Sequence, residues 1–281
     1  MTLHTAPVRL GVNVFTAPEK ALVGERPKPF GPPLSFDAAT STLIYGEYDA
    51  VLVDALHTVA EATALADWVA LHHRNLTTIY ITHAHQDHFY GLPVLLDRFP
   101  DAHAIATPRT VELIERTDPA LTRFMAGLLP GQSAAKITVP EPYSKDAFTL
   151  EGYELRIIEQ GRTDVEHSSS LHVPAIDLVV AGDVLYNKCH MYVGDTTPES
   201  RENWIAALDR LAALRPKLAI AGHKKTGAPD TPETIEESQR YLRDFGRLRE
   251  TSLSEEELFD EMGRLYPDWV SHQSWLMFGF S

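Results

Sequence analysis

The chain has 281 residues, a formal net charge of −14 with neutral histidines, 13 histidines and one cysteine. Its 44% hydrophobic and 23% charged residues are typical of a globular protein and exclude a disordered chain. The acidic surplus argues against a nucleic-acid partner, and a single cysteine excludes an internal disulfide and a thiolate-rich metal site. Any bound metal would therefore take nitrogen and oxygen ligands.

The N-terminal sequence has neither the basic region nor the apolar region of a secretory signal. No stretch reaches the roughly 18 consecutive apolar residues that a membrane span requires. We therefore expect a cytoplasmic protein that does not enter a membrane.

Short β-branched runs alternate with helical periodicity along the chain. Strands are predicted at residues 8–15, 41–45, 50–54, 78–82, 103–106, 169–174, 177–181 and 217–221, with a hairpin over 149–158. Helices are predicted over 58–74, over 92–99, from Pro108, from Thr197-Pro198 and through most of the chain after residue 231. Residues 118–142 are rich in proline and glycine and are interpreted as an insertion or a lid. Helices on both sides of a strand-rich middle predict an α/β protein in which helices cover a pair of sheets.

A histidine-rich sequence, His83-Ala84-His85-Gln86-Asp87-His88, follows the strand predicted at 78–82. On a helix, His83 and His85 would point roughly 200° apart and could not share an ion. On an extended strand end, residues two apart face the same side, so His83, His85 and Asp87 can converge. A turn into the next helix would bring His88 inward. These residue types suit Zn²⁺, Fe²⁺ or Mn²⁺.

This sequence resembles the HxHxDH signature of the metallo-β-lactamase superfamily. Three further segments resemble landmarks of that family in the right order: residues 51–54, a strand ending in Asp54; residues 179–183, ending in Gly182-Asp183; and residues 218–223, ending in Gly222-His223. The resemblance covers about residues 8 to 227. It implies a four-layer αβ/βα sandwich in a catalytic domain over residues 1–230, with residues 231–281 as a helical extension packed on that domain.

The resemblance also implies a site for two divalent metal ions, with zinc expected and iron or manganese left open. His83 and His85 would bind the first ion. Asp87, His88 and His223 would bind the second, and Asp183 would bridge the two. Paired cations lower the pKa of a bound water and polarise an attacked carbonyl.

One landmark departs from the family pattern. Where the family places a histidine directly after a glycine, this chain has Arg162 after Gly161, and arginine is a very poor ligand because it stays protonated. His167 is the nearest nitrogen donor and is favoured as a ligand of the first ion, with Asp164 as the substitute. If neither binds, the site would hold one ion.

Tyr186 lies three residues after Asp183, an offset that resembles the N-acyl-homoserine lactonases of the same superfamily. Its phenol would donate a hydrogen bond to the carbonyl oxygen or the leaving group, although a tyrosine packed in the core is an equal interpretation. His190 is interpreted as a surface residue, with a place in the pocket lining as the alternative. His57 is interpreted as a structural histidine, with a position beside the metal ligands as the alternative. Aromatic and apolar residues at 89, 90, 191 and 192 could form an apolar substrate wall.

The function expected from these residues is a metal-dependent hydrolase of a small-molecule lactone or other carboxylic ester, with Asp87 and Tyr186 as catalytic residues. A thioester or a β-lactam on the same site is the first alternative. A mononuclear-iron oxygenase and a non-catalytic metal-binding module are the others. Residues 275–280 are apolar enough to dock on the chain's own core, to roof the pocket or to meet a second copy, which leaves a homodimer open.

Overall fold

The structure is a computed structural model that describes residues 10–26, 28–134, 136–193, 196–251 and 253–270. Its strands are β1 (Gly11–Thr16), β2 (Lys20–Ala21), β3 (Ser35–Phe36), β4 (Thr40–Tyr45), β5 (Asp49–Val53), β6 (Asn75–Ile81), β7 (His103–Ala106), β8 (Glu141–Pro142), β9 (Ala147–Leu150), β10 (Tyr153–Gly161), β11 (Ser168–Val173), β12 (Leu178–Val180), β13 (Tyr186–Asn187), β14 (Leu218–Ile220) and β15 (His223–Lys224). Its helices are α1 (Val59–Ala70), α2 (Gln86–Phe89), α3 (Leu92–Arg98), α4 (Pro108–Glu115), α5 (Pro119–Leu128), α6 (Pro198–Ala213), α7 (Glu233–Arg249) and α8 (Glu255–Leu265).

Two sheets form the centre of the molecule. The first has the order β1-β4-β5-β6-β7-β8, antiparallel from β1 to β5 and parallel from β5 to β8. The second has the order β14-β12-β11-β10-β9, with β12 and β14 parallel and the other pairs antiparallel. Two short pairs, β2-β3 and β13-β15, complete the described strands.

The side chains of each sheet alternate between two apolar cores. Ile44, Val51 and Tyr80 of the first sheet face Leu171 and Val180 of the second, and all are buried between the sheets. On the outer face of the first sheet, Leu43, Leu52 and Ile79 pack with apolar residues of α1, α3 and α4. On the outer face of the second, Val179 and Ala219 pack with residues of α6, α7 and α8. The layers therefore run helix, sheet, sheet, helix, which confirms the predicted α/β class and αβ/βα sandwich.

Helix starts follow their capping residues. Thr58 and Glu61 form a capping box at α1, and Thr197 with Ser200 forms another at α6. Pro198 at the first turn of α6 confirms the helix start predicted there.

The C-terminal helices α7 and α8 share one apolar cluster with Trp204 of α6 and Val179 of β12. The division of the chain at residue 230 stays a prediction. Residues 8 and 9 of the first predicted strand, and residues 275–280, lie outside the described residues. Among the helices that the structure describes, none is both long enough and apolar enough to span a membrane.

Candidate metal centre

Four chain segments meet at one edge of the sandwich. The carboxyl end of β6 meets the start of β11, where the Ser169 amide donates to the Thr82 carbonyl at 3.0 Å and His83 pairs with Ser168. A 3₁₀ turn at Gly182–Val184 follows β12, and β15 begins at His223 just after β14. Because the ends of neighbouring strands share an edge, side chains distant in sequence converge there.

The histidine-rich sequence has the predicted conformation. Strand β6 ends at Ile81, and His83 then forms an isolated β-bridge with Ser168. His85 is extended (φ −81°, ψ 142°) and precedes the short helix α2, which carries Asp87 and His88. The prediction of a strand end followed by a helical turn is therefore confirmed.

Two glycines allow the close approach of the segments that carry Asp183 and His223. A Cβ on Gly222 would lie 2.7 Å from the Gly182 carbonyl carbon and 2.9 Å from the Asp183 nitrogen. Gly182 itself has φ +57°, in the left-handed region that favours glycine, and a Cβ there would meet the Thr82 side chain at 2.8 Å. The Gly-Asp and Gly-His pairs seen in the sequence are thus steric requirements of this junction.

Seven side chains form two groups, and within each group the candidate ligand atoms all lie within 4.8 Å of one another. The first group is His83, His85, Asp164 and Asp183, and the second is Asp87, His88 and His223. Asp183 lies between them: its Oδ2 is 3.5 Å from His83 Nε2, its Oδ1 is 3.1 Å from His88 Nε2, and its Oδ2 is 3.2 Å from His223 Nε2. One carboxylate therefore reaches both groups.

Several polar atoms of these groups are buried without a hydrogen bond of good geometry in the described part of the chain. They are His83 Nε2, Asp87 Oδ2, His88 Nε2, Asp164 Oδ2 and Asp183 Oδ1. Buried polar atoms without partners are costly and rare. Divalent cations bound by imidazole nitrogens and carboxylate oxygens would satisfy all of them, so the residues present fit two such ions.

Residues around the two groups orient the histidines. The buried Asp54, at φ 65°, accepts from the Thr82 amide at 2.9 Å and from the Thr82 hydroxyl at 2.8 Å. His88 Nδ1 lies 2.8 Å from Asp54 Oδ2, and His83 Nδ1 lies 2.9 Å from the Thr82 hydroxyl. With Nδ1 as donor in both rings, each Nε2 presents its lone pair to the ligand group.

Within the two groups, the carboxylates stabilise the protonated histidines and the histidines stabilise the ionised carboxylates. Burial alone lowers the pKa of His85, but the carboxylates of Asp164, Asp183 and Asp87 together outweigh burial and raise that pKa to about 10. Burial would raise the pKa of Asp183, yet the neighbouring His223, His88 and His83 hold it well below its usual range. Asp183 is therefore an anion, and cations binding the histidines would displace protons from them.

The structure corrects the placement of one predicted ligand. His167 lies outside both groups, with its Nε2 3.4 Å from the Thr107 hydroxyl, and Asp164, the substitute candidate, lies in the first group. The reason is the turn after β10: Gly161 has φ +73°, and Thr163 is buried with its hydroxyl 2.7 Å from Asp164 Oδ1. Asp164 Oδ2 comes to 3.1 Å from His85 Nδ1. Arg162 is exposed.

The remaining predicted residues have different surroundings. Tyr186 is buried, donates from its hydroxyl to Asp183 Oδ2 at 3.3 Å and stacks on the His223 ring at 5.4 Å. Burial, with the Asp183 carboxylate adding to it, raises its pKa well above 10, so the phenol keeps its proton. The sequence predicted a surface position for His190, and this is wrong. His190 is buried, with its Nδ1 3.0 Å from the Tyr241 hydroxyl.

His57 is also buried, and it does not belong to either ligand group. Its ring lies 5.0 Å from that of Phe36 and 5.7 Å from that of Tyr90. Burial lowers its pKa to about 4, so it is neutral at physiological pH.

A cavity of about 390 Å³ opens above the two groups. His85, Asp87, Asp183, Tyr186 and His223 line it on the side of the ligands. Its apolar wall is formed by Phe36, Leu113, Leu121, Met125, Val165 and Tyr192. Tyr192 was expected in this wall from the sequence; the other five were not, although the interpretation of residues 118–142 as a lid pointed to α5, which carries Leu121 and Met125.

Comparison with known proteins agrees with this geometry. The family model described as the metallo-β-lactamase superfamily matches residues 34–223. A hydroxyacylglutathione hydrolase of Actinobacillus pleuropneumoniae serotype 3 (strain JL03) is 29% identical over 144 residues, which cover 51% of this chain and 48% of the relative. A hydroxyacylglutathione hydrolase of Glaesserella parasuis serovar 5 (strain SH0165) is 28% identical over 187 residues, covering 66% of this chain and 65% of the relative. The chain thus spans about half the length of the first of these relatives.

Among solved structures, a metallo-β-lactamase from Pontibacter korlensis superposes with a TM-score of 0.62 at 15% identity, covering 84% of this chain and all of that one. This likeness concerns the fold.

Proposed function

The chain belongs to the metallo-β-lactamase superfamily, and we propose that it is a metal-dependent hydrolase that cleaves a lactone or another carboxylic ester of a small molecule. The observation that carries the proposal is the pair of ligand groups sharing Asp183 below a cavity large enough for a small substrate. We further propose that the ions are zinc, because four imidazoles and three carboxylates form a nitrogen and oxygen donor set that zinc accepts.

Bound divalent ions would supply a hydroxide near neutral pH and polarise the substrate carbonyl. The chain's own residues would do the rest. Asp183 and Asp87 are held as anions among buried histidines, so they can orient a water and accept its hydrogen bond. The Tyr186 hydroxyl keeps its proton and lines the cavity. By turning away from Asp183 Oδ2, to which it donates in the structure, it would donate to the carbonyl oxygen or to the leaving oxygen of the substrate.

A thioester is the second candidate bond, and the names of the two relatives favour it. The same attack on a carbonyl carbon would release a thiolate instead of an alkoxide. The substrate cavity would then have to accept the glutathione part of the molecule as well as the acyl group.

The test is a hydrolysis panel with zinc-loaded protein: γ-butyrolactone derivatives, p-nitrophenyl esters, S-lactoylglutathione and a chromogenic cephalosporin. We expect turnover of the esters or lactones and its loss in Asp183→Asn. Asp177→Asn, a change to a half-exposed aspartate that pairs with Lys217 at the surface, is the matched control and should keep the activity. Absence of turnover on every member of the panel would refute the proposed function.

A further inference from the structure

Away from the ligand groups, the described side chains that line the cavity carry no positive charge. Among the described lining residues there is neither lysine nor arginine, and the ionisable ones other than tyrosines are His85, His223 and four acids: Asp37, Asp87, Glu166 and Asp183. The rest of the wall is apolar or neutral. An anionic substrate group at the wall, away from the ligand groups, would therefore lose its hydration without gaining a cation in return.

Two cations that contact lining residues, Arg109 at Glu166 and Lys20 at the Phe36 ring, have anionic partners. Arg109 pairs with both Glu112 and Glu166, and Lys20 Nζ lies 2.8 Å from Glu61 Oε1. Neither is among the lining residues. A substrate carboxylate at the wall would have to compete with these acids for its counterion.

The ligand groups add little positive charge to the cavity. Asp87, Asp164 and Asp183 would offset three of the four positive charges that two divalent ions bring. Where the family pattern has a neutral imidazole, this chain has the Asp164 carboxylate, which makes the net charge of the metal centre one unit less positive. Long-range attraction of an anion into the cavity is weakened accordingly.

We propose that this cavity selects an uncharged ester or lactone whose acyl substituent is aliphatic, and that it rejects substrates carrying a carboxylate, glutathione thioesters among them. Leu113, Leu121, Met125 and Val165 would contact the aliphatic substituent while the carbonyl lies over the ligand groups. The inference rests on the proposed hydrolase function where it concerns turnover, and on the cavity alone where it concerns binding.

The activity test uses three p-nitrophenyl esters with acyl chains of six carbons: the hexanoate, the monoadipate and the 6-aminohexanoate. They share the leaving group and differ in the end of the chain, which is neutral, anionic or cationic. After subtraction of the enzyme-free rate, kcat/KM should be at least about tenfold higher for the hexanoate than for either charged ester, the scale expected when a buried site leaves a charge unpaired. Equal values for hexanoate and monoadipate, or a preference for the 6-aminohexanoate, would overturn the proposal.

A charge placed in the wall should change the selectivity. Leu121 is 47% exposed on α5 and lines the cavity, so Leu121→Lys should fold and raise the ratio of monoadipate to hexanoate turnover about fivefold or more. Leu71→Lys is the matched control, since Leu71 is an exposed leucine outside the cavity, and should leave the ratio unchanged. An unchanged ratio in a folded Leu121→Lys protein would contradict the role given to this wall.

Binding without turnover separates this inference from the proposed function. Hexanamide and adipic acid monoamide, measured by isothermal titration calorimetry on zinc-loaded protein, resist hydrolysis and repeat the neutral and anionic chain ends. Tighter binding of hexanamide supports the inference even if no ester is cleaved, a result that would refute the hydrolase function alone. Equal affinity, or tighter binding of the monoamide, overturns the inference even if esters are cleaved.

Discussion

Replacement of Asp54 by asparagine should weaken metal binding at the group of Asp87, His88 and His223 without unfolding the protein. Asp54 is buried, and its Oδ2 accepts from His88 Nδ1 at 2.8 Å. Asparagine keeps one acceptor for the Thr82 amide and tolerates the left-handed φ of 65°. It removes the negative charge that orients the His88 ring and increases its basicity.

The expected loss is about 10- to 100-fold in affinity for the ion at this group, the usual effect of removing a carboxylate behind a metal-bound histidine. This factor corresponds to about 1.4–2.7 kcal/mol. The first group, whose ligands include His83 and His85, should lose less, because Asp54 reaches His83 only through the Thr82 hydroxyl.

The assay is competition with a chromophoric chelator, which resolves two zinc affinities per chain. Asp177→Asn is the matched control: Asp177 also has a positive φ of 50°, but its carboxylate pairs with Lys217 at the surface. A variant Asp54→Asn that binds both ions with unchanged affinity would refute the role assigned to Asp54.

Three further results are expected. Gly222→Ala should lower stability by about 1–3 kcal/mol and reduce metal content, since the new Cβ would press on the backbone of Asp183. Gly127→Ala, inside helix α5 and with open space around the new Cβ, should instead raise stability by about 0.5–1 kcal/mol in thermal unfolding. Asp164→Ala should reduce zinc content measured by native mass spectrometry from two ions per chain to one; loss of an ion in His167→Ala instead would contradict the placement in the turn after β10. Because the folded-state pKa of His57 is lowered to about 4, the unfolded chain binds its proton first, so stability is full above about pH 6.5 and is lost as pH falls toward 4. Urea unfolding at pH 7 and pH 5 should show a loss about 2 kcal/mol larger in the wild type than in His57→Phe, and equal losses would contradict the assigned pKa.

The sequence predicted the part of the site in which ligands are close together in the chain. Geometry at a strand end allows residues two apart to converge, and this held for His83 and His85, with Asp87 and His88 following on α2. The layers were predictable for a related reason, because strands such as β5 are apolar at nearly every position, which is typical of a strand buried on both faces of its sheet.

The sequence did not decide between Asp164 and His167, because the choice depends on a backbone turn. The register of β10 shifts between Glu159 and Gly161, and the positive φ at Gly161 redirects the next residues. Residue chemistry alone favoured the imidazole. The spacing of residues along the sequence does not determine which of two side chains in a six-residue turn faces the metal ligands.

Most residues of the cavity wall could not be predicted from the sequence, for a different reason. Leu121, Met125 and Val165 come from α5 and from the turn after β10, and only the folded chain brings them over the ligand groups. Their hydrophobic pattern is the same for a helix that packs on a core and for one that lines a pocket. The burial of His190 was missed likewise, since its partner Tyr241 lies on α7, far along the chain.

The most direct test of the two-metal centre is a crystal structure of zinc-loaded protein measured at the zinc absorption edge. We expect two anomalous peaks per chain, one coordinated by His83, His85 and Asp164, the other by Asp87, His88 and His223, with Asp183 contacting both. A single peak, or a peak coordinated by His167 in place of Asp164, would contradict the account.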